Sequence, residues 1–284
     1  MNTLSLQAIK KAGQIKAKLK MTSFEPVNIF DVCSTLGVTV RFIDVSMEGM
    51  YVNVEDAESQ VILISSLRPL PRRVYTCAHE LGHHLFGHGS KVDGLTDENA
   101  SSSLYDKDEY LVDAFAGAFL MPLAGIDAEF MKRGWNPRTA SPLQFYTISS
   151  IFGTGYTTLI THCRVNGIIG DAETIILNKE KPAKLLQKLM GKSVENSHFR
   201  LIDGKTNIPV IDLEVGNYLI LPSNMSIEGN HMVALGDTDY GNVFVAQRPG
   251  ITRAYSSDNA HFIRIQNAGY IGLAENRHLE DKAE

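Results

Sequence analysis

The sequence predicts an α+β protein with a helix-rich first part and a β-rich second part. Two segments with strong helical periodicity, residues 71–87 and 108–121, lie in the first part. Late in the chain, short strand-like runs alternate with Gly, Asn, Asp and Pro. We therefore predict a first domain at 1–125, a helical extension at 126–171 and a β-rich domain at 172–284.

The composition is that of an ordinary globular protein. The chain has 284 residues, of which 44% are apolar and 21% charged, and a formal net charge of −5. These values exclude the collagen-like, fibrous and disordered classes. The longest stretch without a charged side chain, residues 139–163, is interrupted by Ser, Thr, Gly and Pro, so no membrane span is predicted.

The start of the chain and the cysteines indicate the compartment. The first twenty residues carry five lysines and no acid, and they lack the apolar core and cleavage site of a secretory signal. Cys33, Cys77 and Cys163 are widely spaced and form no C-x-x-C pair, so we expect a cytoplasmic protein without a disulfide framework. Because the rest of the chain is acidic, the overall charge does not favour nucleic-acid binding.

The first domain begins with two helices and a strand. Residues at roughly helical spacing predict an amphipathic first helix whose lysines face water; they are Leu6, Ile9, Gly13, Ile15 and Leu19. Pro26 is placed to open a second helix and Gly37 to end it. A strand is predicted next, at 38–45.

The middle of the first domain contains paired strands and the two strongest helices. The extended runs at 50–54 and 61–64 are separated by a polar stretch and predict a hairpin or paired edge strands. The helix at 71–87 follows, with one apolar stripe. An acid-rich segment at 93–109 predicts a long connection, after which the helix at 108–121 ends before a proline.

The remaining elements are shorter. Residues 141–169 predict a helix, a tight turn with Gly153 and Gly155, and a second helix, an arrangement that resembles a helix-turn-helix. A short helix is predicted at 182–190. The predicted strands of the β-rich domain lie at 210–213, 218–221, 232–235, 243–246 and 261–265.

The strongest motif in the chain is H-E-L-G-H at 79–83, inside the helix predicted at 71–87. His79 and His83 lie about 40° apart on one helix face, so both imidazoles can bind one metal ion. Glu80 lies next to this face, where a carboxylate can act as a general base on a water bound to the metal. The alternative interpretation is two surface histidines near an acid.

A catalytic zinc site needs a third protein ligand and one position open to water. We assign Glu109 of the second strong helix as this ligand. Asp113, one turn further, is placed to accept the free ring N–H of a ligating histidine. Alternatively, both acids are ordinary helix-face charges, with Glu109 complementing the helix dipole. Other candidate ligands are Asp108 and, more distantly, Asp97 and Glu98.

Two further histidines are not predicted to bind the metal. On an ideal helix, His84 and His88 point about 140° and about 180° away from His79. Gly89 stands where a three-histidine zincin would have its third histidine, so the third ligand is not predicted to be a histidine.

Together, the motifs resemble those of the ImmA/IrrE family of zinc metallopeptidases. The resemblance rests on Y-T-C-A-H-E-L-G-H at 75–83, E-x-x-x-D-x-F-A at 109–116 and L-M-P at 120–122. It covers about residues 5–170. The chain departs from the family at 112–113, where it has Val-Asp and the family commonly has Ala-Asn.

The resemblance implies a zincin-like, gluzincin-type core with Zn²⁺ on His79, His83 and Glu109 and with Glu80 as catalytic acid and base. It also implies a cytosolic endopeptidase that cleaves a helix-turn-helix repressor in response to a signal. Family members can carry a sensory C-terminal domain, and the β-rich domain is a candidate for that role. Because β-augmentation is a common mode of peptide capture, we expect an extended substrate to pair with the strand at 61–64.

A competing interpretation is a DNA-binding or ligand-sensing transcriptional regulator whose metal site is vestigial or structural. The helix-turn-helix-like segment at 141–169 holds Arg164 as its basic side chain, with Lys132, Arg133 and Arg138 upstream. So few basic side chains can neutralise only a few DNA phosphates. We therefore favour a packing role for the segment. No membrane partner is expected.

Overall fold

The structure is a computed structural model, and it describes residues 3–53, 60–89, 91–93, 106–194 and 198–279. The chain forms two compact units. Unit 1 comprises Met1–Gly125 and Gly269–Asn276, and unit 2 comprises Ile126–Ala268 and Arg277–Glu284. The division into three domains stays a prediction.

The described residues combine helices and strands, which confirms the predicted α+β class. The helices are α1 (Thr3–Lys18), α2 (Ile29–Thr35), α3 (Leu70–Phe86), α4 (Lys107–Leu120), α5 (Leu123–Lys132), α6 (Pro142–Phe152), α7 (Tyr156–Val165), α8 (Asp171–Asn178) and α9 (Pro182–Met190). The strands are β1 (Val38–Ile43), β2 (Gly49–Val52), β3 (Gln60–Ser65), β4 (Lys91–Asp93), β5 (Phe199–Leu201), β6 (Val210–Glu214), β7 (Tyr218–Leu221), β8 (Ser226–Ile227), β9 (Met232–Thr238), β10 (Gly241–Ala246), β11 (Gly250–Tyr255), β12 (Ala260–Gln266) and β13 (Gly272–Leu273). A 3-10 helix covers Ala274–Asn276.

Unit 1 contains a sheet with the strand order β13-β1-β3-β2-β4. β1 runs parallel to β3, with Val40 opposite Ile62, and β2 runs antiparallel to β3, with Tyr51 opposite Ile62. The predicted pairing of the two extended runs is therefore confirmed. Ile62 and Ile64 are fully buried, so β3 lies at the centre of the unit 1 core.

The expectation that a substrate pairs with the strand at 61–64 is wrong. β3 forms hydrogen-bonded ladders with β1 on one side and with β2 on the other, so neither edge of this strand is open. A sequence pattern indicates pairing only between strands that follow each other in the chain. β1 pairs with β3 although β2 lies between them in the sequence. Among the described strands of this sheet, β13 and β4 lie at the ends of the order.

The buried face of helix α1 agrees with the predicted one at Ile15 and differs from it at Leu6 and Ile9. Ala8, Ala12 and Ile15 are buried, whereas Leu6 and Ile9 are 55% and 39% exposed. Alanine side chains are small enough to let α1 lie close to α4, against which it packs. Close packing of backbones therefore overrides the pattern of the larger apolar residues.

Lys16 of α1 is also buried, which the expectation of water-facing lysines did not include. Its ammonium group donates a hydrogen bond to the backbone carbonyl of Glu25 at 2.9 Å and lies over the ring of Phe119. Burial lowers the pKa of Lys16 from 10.5 to about 8, and the charge of Glu25 opposes part of this shift. The folded state therefore releases this proton at a lower pH than the unfolded chain.

We expect the contribution of Lys16 to stability to improve as the pH rises from about 8 toward 10.5, because in this window the unfolded chain holds a proton that the folded chain has lost. Lys16→Met should raise the free energy of unfolding at about pH 7 by at most about 3 kcal/mol, and this gain should shrink near pH 10. Urea unfolding at the two pH values measures it, with the exposed Lys18→Met as control. A gain of equal size at both pH values contradicts the prediction.

Helices α3 and α4 approach each other closely at Gly82. A β-carbon added at Gly82 would lie 2.9 Å from Cβ of Val112 and 3.3 Å from Cδ1 of Phe115. Contacts this short force a side chain or a helix to move. The glycine inside the H-E-L-G-H motif therefore sets the distance between the two helices.

We expect Gly82→Ala to lower the free energy of unfolding by about 1–3 kcal/mol, because it overpacks this contact. Gly13→Ala is the matched control. Gly13 is an exposed position of α1 with nothing within 4 Å of an added β-carbon, so this change should stabilise the protein by up to about 1 kcal/mol. Urea unfolding of both variants measures the difference, and two changes of the same sign would contradict the close approach.

Unit 2 combines α6–α9 with two four-stranded sheets, in the orders β5-β7-β10-β9 and β6-β12-β11-β8. The predicted strands correspond to β6, β7, β9, β10 and β12, and the helix predicted at 182–190 is α9. The elements α8, β5, β8 and β11 were not predicted. β5 and β8 have only three and two residues, too few for a pattern, whereas β11 does alternate buried and exposed residues.

Helices α6 and α7 form the helix-turn-helix-like pair predicted at 141–169. Within unit 2, the Tyr146 hydroxyl donates to the carbonyl of Phe199 at 2.6 Å, and the backbone N–H of Leu201 donates to Ser150 Oγ at 3.2 Å. These contacts fix α6 against β5, as expected of a core helix. DNA binding by this pair stays the competing interpretation and not the favoured one.

One described stretch, Lys107–Lys132, is long and apolar enough to cross a membrane by length and composition alone. Its most apolar window is 56% buried inside the fold. Core helices of soluble proteins pass the same test, so this stretch is weak evidence for a membrane span.

Candidate metal centre

Helix α3 places the two histidines of the H-E-L-G-H motif one turn apart on a buried face. His79 is 8% exposed and His83 is fully buried. Their Nε2 atoms lie 3.2 Å apart. The helix has a proline in its first turn and ends at Gly87, whose left-handed φ of 73° closes the C-terminus. The motif therefore lies inside regular helix, which holds both imidazoles on one side.

Helix α4 brings Glu109 to the two imidazoles. Its Oε2 lies 3.2 Å from His79 Nε2, and its Oε1 lies 3.6 Å from His83 Nε2. The Asp106 side chain accepts hydrogen bonds from the backbone N–H groups of Asp108 and Glu109, which fixes the first turn of the helix. Within the described parts of the chain, His79, His83 and Glu109 form the group whose donor atoms lie close enough together to hold a metal ion. We call these three residues the metal group.

The spacing of the metal group suits a tetrahedral zinc ion. Bonds of about 2.0–2.2 Å to nitrogen and oxygen place tetrahedral ligands about 3.4 Å apart. The three donor pairs here are separated by 3.2, 3.2 and 3.6 Å. Two imidazoles and one carboxylate are a donor set of catalytic zinc sites, in which the fourth position is left to water or substrate. The residues therefore fit the metal that the motif predicts.

Asp113 lies behind His79, as the helical spacing predicts. Its Oδ1 is 2.9 Å from His79 Nδ1, the ring nitrogen that does not face the metal group. A carboxylate at this position favours the Nδ1–H tautomer and leaves Nε2 free to bind a metal. The Tyr75 hydroxyl donates to the backbone carbonyl of Asp113 at 3.3 Å, and burial together with the charge of Asp113 raises the pKa of Tyr75.

Glu80 is fully buried beside His79 in α3. A β-carbon added at Gly49 of β2 would lie 2.9 Å from Glu80 Oε1 and 2.5 Å from Thr76 Cγ2. The backbone of β2 therefore passes directly against the Glu80 carboxylate, and no side chain larger than hydrogen fits between them. This contact was not predicted, because no local pattern relates position 49 to position 80.

The structure treats the two remaining histidines differently. His84 pairs with Tyr51 of β2, with His84 Nδ1 3.0 Å from the Tyr51 hydroxyl, and burial lowers the pKa of His84. His88 instead lies beside the metal group, with its Nδ1 3.0 Å from His83 Nδ1. The prediction that His88 points away is wrong because the chain leaves the helix at Gly87, so ideal-helix angles do not apply at position 88.

The other candidate ligands are not in the metal group. Asp108 places its Oδ1 3.6 Å from His88 Nε2. Asp97 and Glu98 lie outside the described residues, as does most of the acid-rich segment at 93–109.

Comparison with known protein families matches residues 33–156 to the family described as IrrE N-terminal-like domain, Peptidase M78. The matched stretch contains the motif at 79–83, Glu109 and Asp113. Comparison with curated proteins gives no match. Residues 33–156 are therefore similar to the IrrE N-terminal-like peptidase family, the family that the motifs resemble.

Proposed function

We propose that this protein is a zinc-dependent endopeptidase. The observation that carries the proposal is the convergence of His79, His83 and Glu109, whose donor atoms are 3.2–3.6 Å apart. The buried carboxylate of Glu80 follows His79 in the same helix. The match of residues 33–156 to a peptidase family supports the same reaction class.

The roles of the residues follow from their chemistry. His79 and His83 would hold a zinc ion through Nε2, and Glu109 would hold it through its carboxylate. The chemistry that such an ion would supply is a lower pKa for a bound water and polarisation of the scissile carbonyl. Glu80 accepts the proton of the attacking water and delivers it to the leaving amine nitrogen. Asp113 keeps His79 in the tautomer that binds metal.

The substrate that we propose is a DNA-binding repressor of the helix-turn-helix kind, cleaved in the cytoplasm in response to a signal. The resemblance of the motifs at 75–83 and 109–122 to the ImmA/IrrE family supports this role. In this proposal, the strands of unit 2 belong to the part of the chain that senses the signal.

The DNA-binding interpretation has one observation in its favour, the α6–α7 pair. Two observations weigh against it. Arg164, the basic side chain of this pair, forms an ion pair with Asp171 at 2.6 Å. Helix α6 is buried from Phe145 to Phe152, so this part of it offers no face to a phosphate backbone.

The test is incubation of the full-length protein with a repressor encoded beside its gene, in parallel with a library of unstructured peptides, with zinc or with a chelator. Mass analysis of the products should reveal discrete internal cuts that the chelator prevents. Cuts in the peptides alone would support the endopeptidase and contradict the proposed repressor. No metal-dependent cut in either substrate, with a DNA mobility shift that survives the chelator, would favour the DNA-binding interpretation.

A further inference from the structure

The two imidazoles of the metal group each have a partner on the ring nitrogen that faces outward. Both rings direct Nε2 toward Glu109 and turn Nδ1 away from it. His79 Nδ1 meets the carboxylate of Asp113 on α4 at 2.9 Å. His83 Nδ1 meets Nδ1 of His88 at 3.0 Å. The second partner thus comes from the residue that follows the glycine at the end of α3.

The proton positions in this second contact follow from the role of His83. A histidine that binds metal through Nε2 is neutral and carries its proton on Nδ1. His83 therefore donates, and His88 Nδ1 accepts. A neutral His88 that accepts on Nδ1 carries its own proton on Nε2.

Asp108 stabilises this tautomer of His88. Its Oδ1 lies 3.6 Å from His88 Nε2, too long for a hydrogen bond but close enough for the carboxylate charge to favour the Nε2–H form. Asp108 directly precedes Glu109 in α4. The same helical turn therefore provides the predicted ligand and the carboxylate that faces His88. We propose that His88, aided by Asp108, positions His83 for metal binding as Asp113 does for His79.

The backbone holds His88 in this place. Gly87 has a left-handed φ of 73°, which an L side chain adopts only at a cost. The turn lets the N–H of His88 donate to the carbonyl of His83 at 3.0 Å. The ring of Phe86 stacks on that of His88 with centroids 6.0 Å apart, and the His88 side chain is only 12% exposed. His88 is therefore fixed by its backbone and by a ring on one side, which suits a positioning residue.

This inference rests on the proposed zinc site and adds a residue that acts through His83. It is tested on the full-length protein with His88→Leu, which removes the acceptor, and with His88→Asn, whose amide oxygen restores an acceptor near the position of Nδ1. His84→Leu is the matched control, because His84 is the neighbouring histidine of α3 and pairs with Tyr51. Circular dichroism checks that each variant folds.

The first readout is zinc affinity, measured by competition with a chromophoric chelator. We expect His88→Leu to weaken zinc binding by about 10- to 100-fold, the range for loss of an outer partner of a ligand. His88→Asn should recover most of this loss, and His84→Leu should bind zinc as the parent does. Equal affinities for His88→Leu and the parent, or equal losses in His88→Leu and His84→Leu, would overturn the inference.

The second readout is the tautomer of His83 in the metal-free protein, read from the imidazole ¹⁵N shifts. The parent and His88→Asn should show the proton of His83 on Nδ1, and His88→Leu should lose this preference. A preference unchanged in His88→Leu would overturn the inference. Failure of the proposed function is distinct: a parent that binds zinc but cuts no peptide contradicts the endopeptidase and leaves the effect of His88 on zinc in place, whereas a parent that binds no zinc contradicts both.

Discussion

Glu80→Gln is expected to lower the rate of peptide cleavage by at least about 100-fold and to leave zinc binding unchanged. The amide has nearly the same shape as the carboxylate, so it can occupy the buried position beside Gly49 of β2. It cannot accept a proton from water at neutral pH, so the general base is lost. Glu80 is not one of the three residues of the metal group, so its replacement leaves the three donors in place.

This prediction is measured by cleavage of a fluorogenic peptide, with zinc content determined on the same sample. Asp44→Asn is the matched control, because Asp44 is an exposed carboxylate of unit 1 just after β1. It should retain the parent rate. Cleavage by Glu80→Gln at the parent rate would remove Glu80 from the mechanism, and a joint loss of zinc and activity would show that Glu80 acts on the fold or the metal instead.

The metal group could be predicted because its residues lie in short motifs with helical spacing. His79 and His83 are four residues apart, as are Glu109 and Asp113, and a helix brings residues at this spacing to one face. The contact between the two helices is the part of the site that no local spacing predicts. Gly82 makes this possible, since Val112 and Phe115 of α4 occupy the space that its side chain would need.

His88 was placed wrongly because its position depends on a single backbone turn. The signal was present in the sequence, since Gly87 follows the last apolar residue of the helix and glycine is the common residue at such an end. Because the helix ends at Phe86, the side-chain directions of an ideal helix do not apply to His88. The turn at Gly87 then returns it toward His83.

The sheet of unit 1 could be predicted only in its local pairing. β2 and β3 are neighbours in the chain, so their pairing follows from two nearby extended runs. β13 is a two-residue strand, and Leu273 lies opposite Arg41 of β1, more than 200 residues earlier. No period or turn signal marks a strand that short, and pairing at this distance is decided by the folded core. The same limit explains why β3 was expected at an edge.

Glu109→Ala is expected to weaken zinc binding by more than about 100-fold, which exceeds the loss for an outer partner of a ligand. The change removes the only carboxylate whose oxygens lie within 3.6 Å of both Nε2 atoms in the described residues. Asp108→Ala is the informative comparison, because Asp108 is the adjacent acid in the same turn and the nearest alternative ligand by sequence. Since its carboxylate faces His88 at 3.6 Å, we expect a loss of less than about tenfold.

Chelator competition on both variants, with unfolding curves to establish that α4 is intact, separates the two acids. Both changes remove one negative charge near the helix N-terminus, so the loss of a favourable dipole contact is similar in the two and cancels in the comparison. Because Asp108→Ala also loses the support that Asp108 gives to His88, the difference in zinc affinity is a lower bound on the contribution of coordination by Glu109. A larger loss in Asp108→Ala than in Glu109→Ala would make Asp108 the third ligand and would require the first turn of α4 to rotate when metal binds.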